Sequence, residues 1–238
     1  MEQVQTQTYH RVSLFSLVIL VVLTWGFYRT YIVFFPAFEG FQPVHHFHGA
    51  IMLLWIGLLI IQPWLMSRKK YRIHKSVGRA SFVIAPLVMV SIFMVSKVKY
   101  EINLQRMATP TDALAFVSLN IPPLFIFGAL YALAVANRSR TYHHMRYMIG
   151  TAILMIGPGL GRALGMYFGI LPPLSVSITL GAVALIALAF LIFDLANKRD
   201  YVPNLVVTGL MLLHLVLWQL RYTPVWQKPG EVFAGAFF

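Results

Sequence analysis

Long apolar runs dominate this chain, separated by short polar joints. A run of roughly 17–25 apolar residues is long enough to cross a bilayer as a helix. Seven such runs occur, at about 12–34, 48–66, 80–98, 112–136, 145–170, 174–195 and 204–220. The pattern predicts an all-α, polytopic membrane protein, a seven-transmembrane helix bundle forming one domain over residues 1–238. The first run begins at Val12 and continues past Tyr28. It is long for a signal-peptide core and no small-residue cleavage site follows it, so it reads as a retained span. Pro86, Pro122, Pro123 and Pro158 fall inside predicted helices, where each removes a backbone donor and bends the helix.

Composition and charge sharpen this reading. Hydrophobic residues make up 59% of the chain and charged residues 11%, against about 25% charged in a soluble domain. The net charge of +12 does not point to nucleic acid, because the basic residues sit in short joints between spans. There they set topology and meet anionic lipid headgroups. Arg68, Lys69, Lys70, Arg72, Lys75 and Arg79 crowd one joint. Arg138, Arg140 and Arg146 lie between spans four and five, and Lys198 and Arg199 between spans six and seven. With Arg11 these place 12 of the 19 basic residues on one side. The positive-inside rule makes that side cytoplasmic, with the N-terminus inside and the C-terminus outside. The chain has no cysteine, which excludes disulfides and iron–sulfur ligation.

The candidate chemistry lies in the histidines. An ionisable side chain inside or at the edge of a span is costly and marks a functional site by default. Topology divides them. His45, His46 and His48 open span two on the outer face; His74, His143 and His144 lie on the inner face. From His48 to Met66 a helix rises about 27 Å, so no single metal site holds both His48 and His74. An outer cluster of His48, His214 and Arg162 is geometrically possible, as is an inner one of His74, His143 or His144, and Asp194. More ordinary roles stand beside these: His45, His46 and His143 as interfacial residues, His10 as a solvated tail residue, and Arg162 reaching for lipid phosphates. Asp194 has a possible partner in Lys198, four residues on. Gly157, Gly161, Gly165 and Gly169 form a row spaced by four, suited to close helix packing, to a homo-oligomer interface or to a planar cofactor.

Two segments carry a resemblance. "HHFHGAIMLLWIGLLIIQPWLMSRKKYRIHKSVGR" places His48 and His74 at the two ends of a hairpin with Trp55 and Gln62 between, and "YHHMRYMIGTAILMIGPGLGRAL" opens span five with His144 and reaches Arg162. The first resembles the histidine-to-histidine hairpin of cytochrome b561-type membrane proteins. Both resemble an uncharacterised bacterial multi-span family with a histidine before span two, His74-Lys75-Ser76-Val77-Gly78 at span three and His144-Met145-Arg146-Tyr147-Met148 at span five. The matches cover roughly residues 45–170. The cytochrome resemblance implies b-type haem and electron transfer, with His48, His74 and His144 as candidate ligands. Span four contains no histidine, so an outer pair requires His214.

Three functions follow as expectations. The first is a redox protein of the bacterial inner membrane binding haem b, with Arg162 as a possible clamp for a propionate and a quinone or redox protein as partner. The second is a lipid-modifying enzyme with zinc or iron held by His74, His143, His144 and Asp194. The third is a non-enzymatic membrane subunit or transporter.

Overall fold

A computed structural model describes the backbone of residues 2–238 and the side chains of residues 6–238. Among the described residues nine α-helices follow one another: α1 (Glu2–Tyr28), α2 (Pro43–Ser67), α3 (Tyr71–Arg79), α4 (Ser81–Arg106), α5 (Pro110–Ala136), α6 (Thr141–Phe168), α7 (Leu174–Ala196), α8 (Val202–Gln219) and α9 (Pro224–Phe237). All but α3 and α9 are long and apolar enough to cross a membrane, α1 doing so over Thr6–Tyr28. Residues such as Val21, Leu53, Phe125 and Leu185 stand out from the bundle at 59–66% exposure, where hydrocarbon rather than water satisfies them. The protein is an integral membrane helical bundle.

Helices start where the chain supplies a signal. Pro43 and Pro110 occupy first-turn positions of α2 and α5, where a missing N–H costs nothing. Thr109 caps α5 by accepting from the Asp112 N–H at 3.2 Å. Gly169, with φ of +67°, ends α6 in a left-handed turn that L side chains avoid. Pro63, Pro86, Pro122, Pro123 and Pro158 are carried inside helices.

Packing closes α1, α2, α4, α5 and α6 into a ring, with α7 and α8 outside it against α5 and α6. One end of the ring carries the basic joints and α3; we call it the basic face and the other the opposite face. Midway, Trp55 is fully buried against Phe127 and Tyr131, with ring centroids 5.0 and 5.6 Å away, and its indole N–H donates to Thr151 Oγ1 at 3.3 Å. That polar handle suits an otherwise apolar plug. The tightest contact joins α1 to α6. A Cβ built on Gly159 would lie 2.9 Å from the Val22 carbonyl oxygen, and one on Gly26 would run into the Gly159 backbone.

Three features depart from the expected spans. The polar segment before Val12 is not an irregular tail: α1 is already helical from Glu2, and His10 lies exposed on it. The basic joint at 68–79 contains α3. After α8 the chain turns back, and α9 packs along α5, its Trp226 indole donating to the Leu114 carbonyl at 2.8 Å. Trp226, Gly230 and Ala234 form the buried stripe of α9, at helical i, i+4, i+8 spacing.

Candidate functional site

The inner histidines meet in one cavity. It has a volume of about 890 Å³ and opens at the basic face between α1, α2, α3, α4, α5 and α6. His74 on α3 and His144 on α6 both line it, with Gln62 from α2, Ser81 from α4 and Tyr131 from α5. Lys75, Arg79 and Arg138 supply positive charge, and the remaining walls are largely apolar, including Leu58, Leu59, Met145, Met148 and Ala152. This is the usual make-up of a small-molecule or cofactor site: an apolar container with a few polar groups, commonly about 300–1,000 Å³.

Hydrogen bonds assign the two rings different faces. His144 Nδ1 lies 2.8 Å from the Ala134 carbonyl, which can only accept, so Nδ1 carries a proton and, in the neutral tautomer, Nε2 is the acceptor. Gln62 is surrounded by the His74 carbonyl, His74 Nδ1 and the Gly78 N–H. The amide orientation that satisfies all three donates to the carbonyl at 3.2 Å and to Nδ1, and accepts from Gly78 at 2.9 Å. His74 Nδ1 is then an acceptor and Nε2 carries the proton. The cavity therefore meets one imidazole acceptor and one imidazole donor. Ser81 donates to the Gly78 carbonyl at 2.6 Å, so the Tyr131 hydroxyl donates to Ser81 at 3.0 Å. Burial lowers the His74 pKa from its ordinary value; a contact with the Gln62 backbone opposes this, while His144 and Lys75 add to the lowering.

The structure does not assemble the metal set of His74, His143, His144 and Asp194. Among the described residues no three His, Cys, Asp or Glu side chains are placed to share a metal ion. His143 turns away to Asp200 in the α7–α8 joint, with Nε2 and Oδ2 2.6 Å apart, and this bond lowers the Asp200 pKa. Asp194 is fully buried on α7. One oxygen accepts from Arg146 Nη2 at 2.6 Å and the other from Asn204 Nδ2 at 2.6 Å. Lys198 is thus not its partner. A buried carboxylate needs a buried cation and full hydrogen bonding; Arg146 on the adjacent helix supplies the charge and Asn204 completes the bonding, where an exposed lysine does neither. Matching depth along antiparallel α6 and α7 was the signal for this pair, and i, i+4 spacing concealed it.

Nor does the outer cluster form as a histidine pair. His48 faces α4, where Ser91 commits its proton to the Val88 carbonyl at 2.8 Å and accepts from His48 Nδ1–H at 3.0 Å. His214, at 4% exposure on α8, faces the Ser118–Leu119 backbone of α5 and leaves Nε2 without a partner. Helices α5 and α6 stand between α2 and α8. Arg162 does come near His48. His45 and His46 are structural: His45 completes a capping box with Gln42, and His46 Nδ1 meets the Tyr31 hydroxyl at 2.5 Å in a cluster with Phe38 and Phe41.

Two members of the glycine row face α7. A Cβ on Gly161 would lie 3.5 Å from Thr179 Oγ1 of α7, and Gly157 faces the same threonine. Sequence reasoning named Trp55 and Gln62 without a role. With His48 they repeat every seven residues along one face of α2, and that face lines the ring interior. Comparison with family models, curated proteins and solved structures returns no match, so the functional reading rests on the residues themselves.

Proposed function

We propose that this protein is a membrane redox protein whose basic-face cavity binds b-type haem, with His144 as the residue that would hold its iron. The observation that carries the reading is the His144–Ala134 hydrogen bond beside an amphipathic cavity of about 890 Å³. A ligating histidine ordinarily donates its other ring N–H to a carbonyl or carboxylate, which fixes tautomer and orientation. Lys75, Arg79 and Arg138 suit the acidic edge of such a group. His74 fits as a hydrogen-bond donor rather than as a second ligand, because Gln62 holds the proton on its Nε2. Haem held there would supply one-electron redox chemistry. His74 would offer a hydrogen-bond donor to the bound group, Gln62 would orient His74, and the buried Trp55 of α2 would fill the ring interior beyond the cavity.

The basic loops and N-terminus are assigned to the cytoplasm of a bacterial inner membrane, which their Lys and Arg density supports. A quinone or redox protein is the partner class. A reduced-minus-oxidised spectrum of the full chain, expressed with added haem, tests the reading. A Soret and α-band signal that is lost in His144→Ala and kept in His48→Ala is the expected result. Absence of the bands from the unmodified chain overturns it. A second reading, an amphiphile such as a quinone seated directly in the cavity, is favoured by the proton on His74 Nε2, which suits a carbonyl acceptor. An extractable apolar ligand lost in His74→Ala, with no haem bands, identifies that case.

A further inference from the structure

We propose that the opposite-face end of the ring contains an oxyanion-binding site centred on Arg162, independent of the basic-face cavity. Arg162 lies six residues before the end of α6, about 9 Å in along the helix. Its guanidinium stacks over Phe27 of α1, 4.2 Å from the ring centroid. One of its five N–H donors is engaged, Nη1 giving to the Pro158 carbonyl at 3.0 Å. The residue is exposed as a whole, and the rest of its planar fork makes no further hydrogen bond among the described residues.

Of the carboxylates at this end, Glu39 in the α1–α2 joint and Glu101 on α4 form no ion pair with it among the described residues. Lys99 of α4 and His48 of α2 are its electrostatic neighbours, and Arg106 lies next to Lys99. No described carboxylate pairs with Arg162: the ion pairs found join His143 to Asp200 and Arg146 to Asp194. The carboxylate that opens α5, Asp112, bonds Thr109 and Tyr222, and Glu231 of α9 lies by Tyr100. An arginine at membrane depth needs a counter-ion. The same helix gives Arg146 one from within the chain, so the one for Arg162 comes from outside it. A planar fork with a lysine in electrostatic range suits a carboxylate, phosphate or sulfate group, bound bidentately by Arg162, with Lys99 adding to the positive field. The source is a lipid headgroup or a free anion.

The test measures thermal unfolding of the purified full chain in two settings. In neutral detergent, sulfate and inorganic phosphate are titrated against chloride at equal ionic strength. In nanodiscs, phosphatidylcholine alone is compared with phosphatidylcholine plus phosphatidylglycerol. A saturable rise with sulfate or phosphate identifies a free anion; a rise confined to the phosphatidylglycerol discs identifies a headgroup. In either case Arg162→Gln weakens the effect by about tenfold or more, Arg162→Lys weakens it less, and Arg29→Gln leaves it unchanged. A rise that is absent from both settings, or equal in Arg162→Gln, overturns the proposal. Haem spectra of Arg162→Gln stay those of the unmodified chain, so failure here and failure of the haem reading are distinguishable.

Discussion

Helix α6 carries one arginine toward each end, and the two are treated in opposite ways. Arg146, near the basic face, is 4% exposed and bound by Asp194, which Asn204 supports, and by the Tyr142 hydroxyl at 2.9 Å. Arg162, sixteen residues on, has an aromatic floor, one backbone acceptor and two basic neighbours. The first is an internal staple across α6, α7 and α8. The second is a charge whose partner is not part of the fold. The same residue type at mirrored depth is structural where the chain completes it and available for binding where the chain does not.

The largest effect comes from breaking the staple. Asp194→Ala strands a buried guanidinium and costs about 3–5 kcal/mol, measurable as lost thermal or denaturant stability in detergent. Replacing both partners, as Arg146→Met with Asp194→Leu, recovers most of that loss, because desolvation of the two charges disappears with them. If the double replacement is as unstable as Asp194→Ala, the pair is not acting through charge. Arg162→Gln without added oxyanion shifts stability by no more than about 0.5 kcal/mol, and combined with Asp194→Ala its effect adds within about 0.5 kcal/mol. A larger coupling would show that the two ends communicate.

The smallest effect is a pH dependence at the basic face. The folded His74 imidazole resists protonation, so its pKa lies below the ordinary 6.5 that it regains on unfolding. The unfolded chain binds the extra proton first, and stability therefore falls as pH drops below about 6.5. His74→Gln flattens that part of the profile. A slope that persists unchanged would assign it to another group. Asp200 works at lower pH: its depressed pKa adds stability above its ordinary 3.8 that is lost on further acidification.

The spans were legible because each is a long apolar run, and no soluble fold competes for such a pattern. Helices α3 and α9 were not, because each is short and mixes charge with glycine: Tyr71–Arg79 carries four basic or imidazole side chains, and Pro224–Phe237 contains Pro229, Gly230 and Gly235. Only the surface each packs against makes it helical. For the candidate site, topology alone grouped His74 with His144. It did not pair Arg146 with Asp194, because that bond crosses 48 positions of sequence, nor reveal Gln62, whose role depends on where α3 folds back. The grouping of His48 with His214 failed because depth in the bilayer was known while angular position around the bundle was not.

The crossing of α1 and α6 at Gly26 and Gly159 is defined by atoms that are missing. Scanning by alanine locates important positions by what is lost on truncation, and at these two it would add a methyl group instead. Surveys that rank residues by size, polarity or hydrophobicity would pass over both. Yet each admits only hydrogen at that point, and enlarging one cannot be offset by trimming the other, which has nothing left to remove.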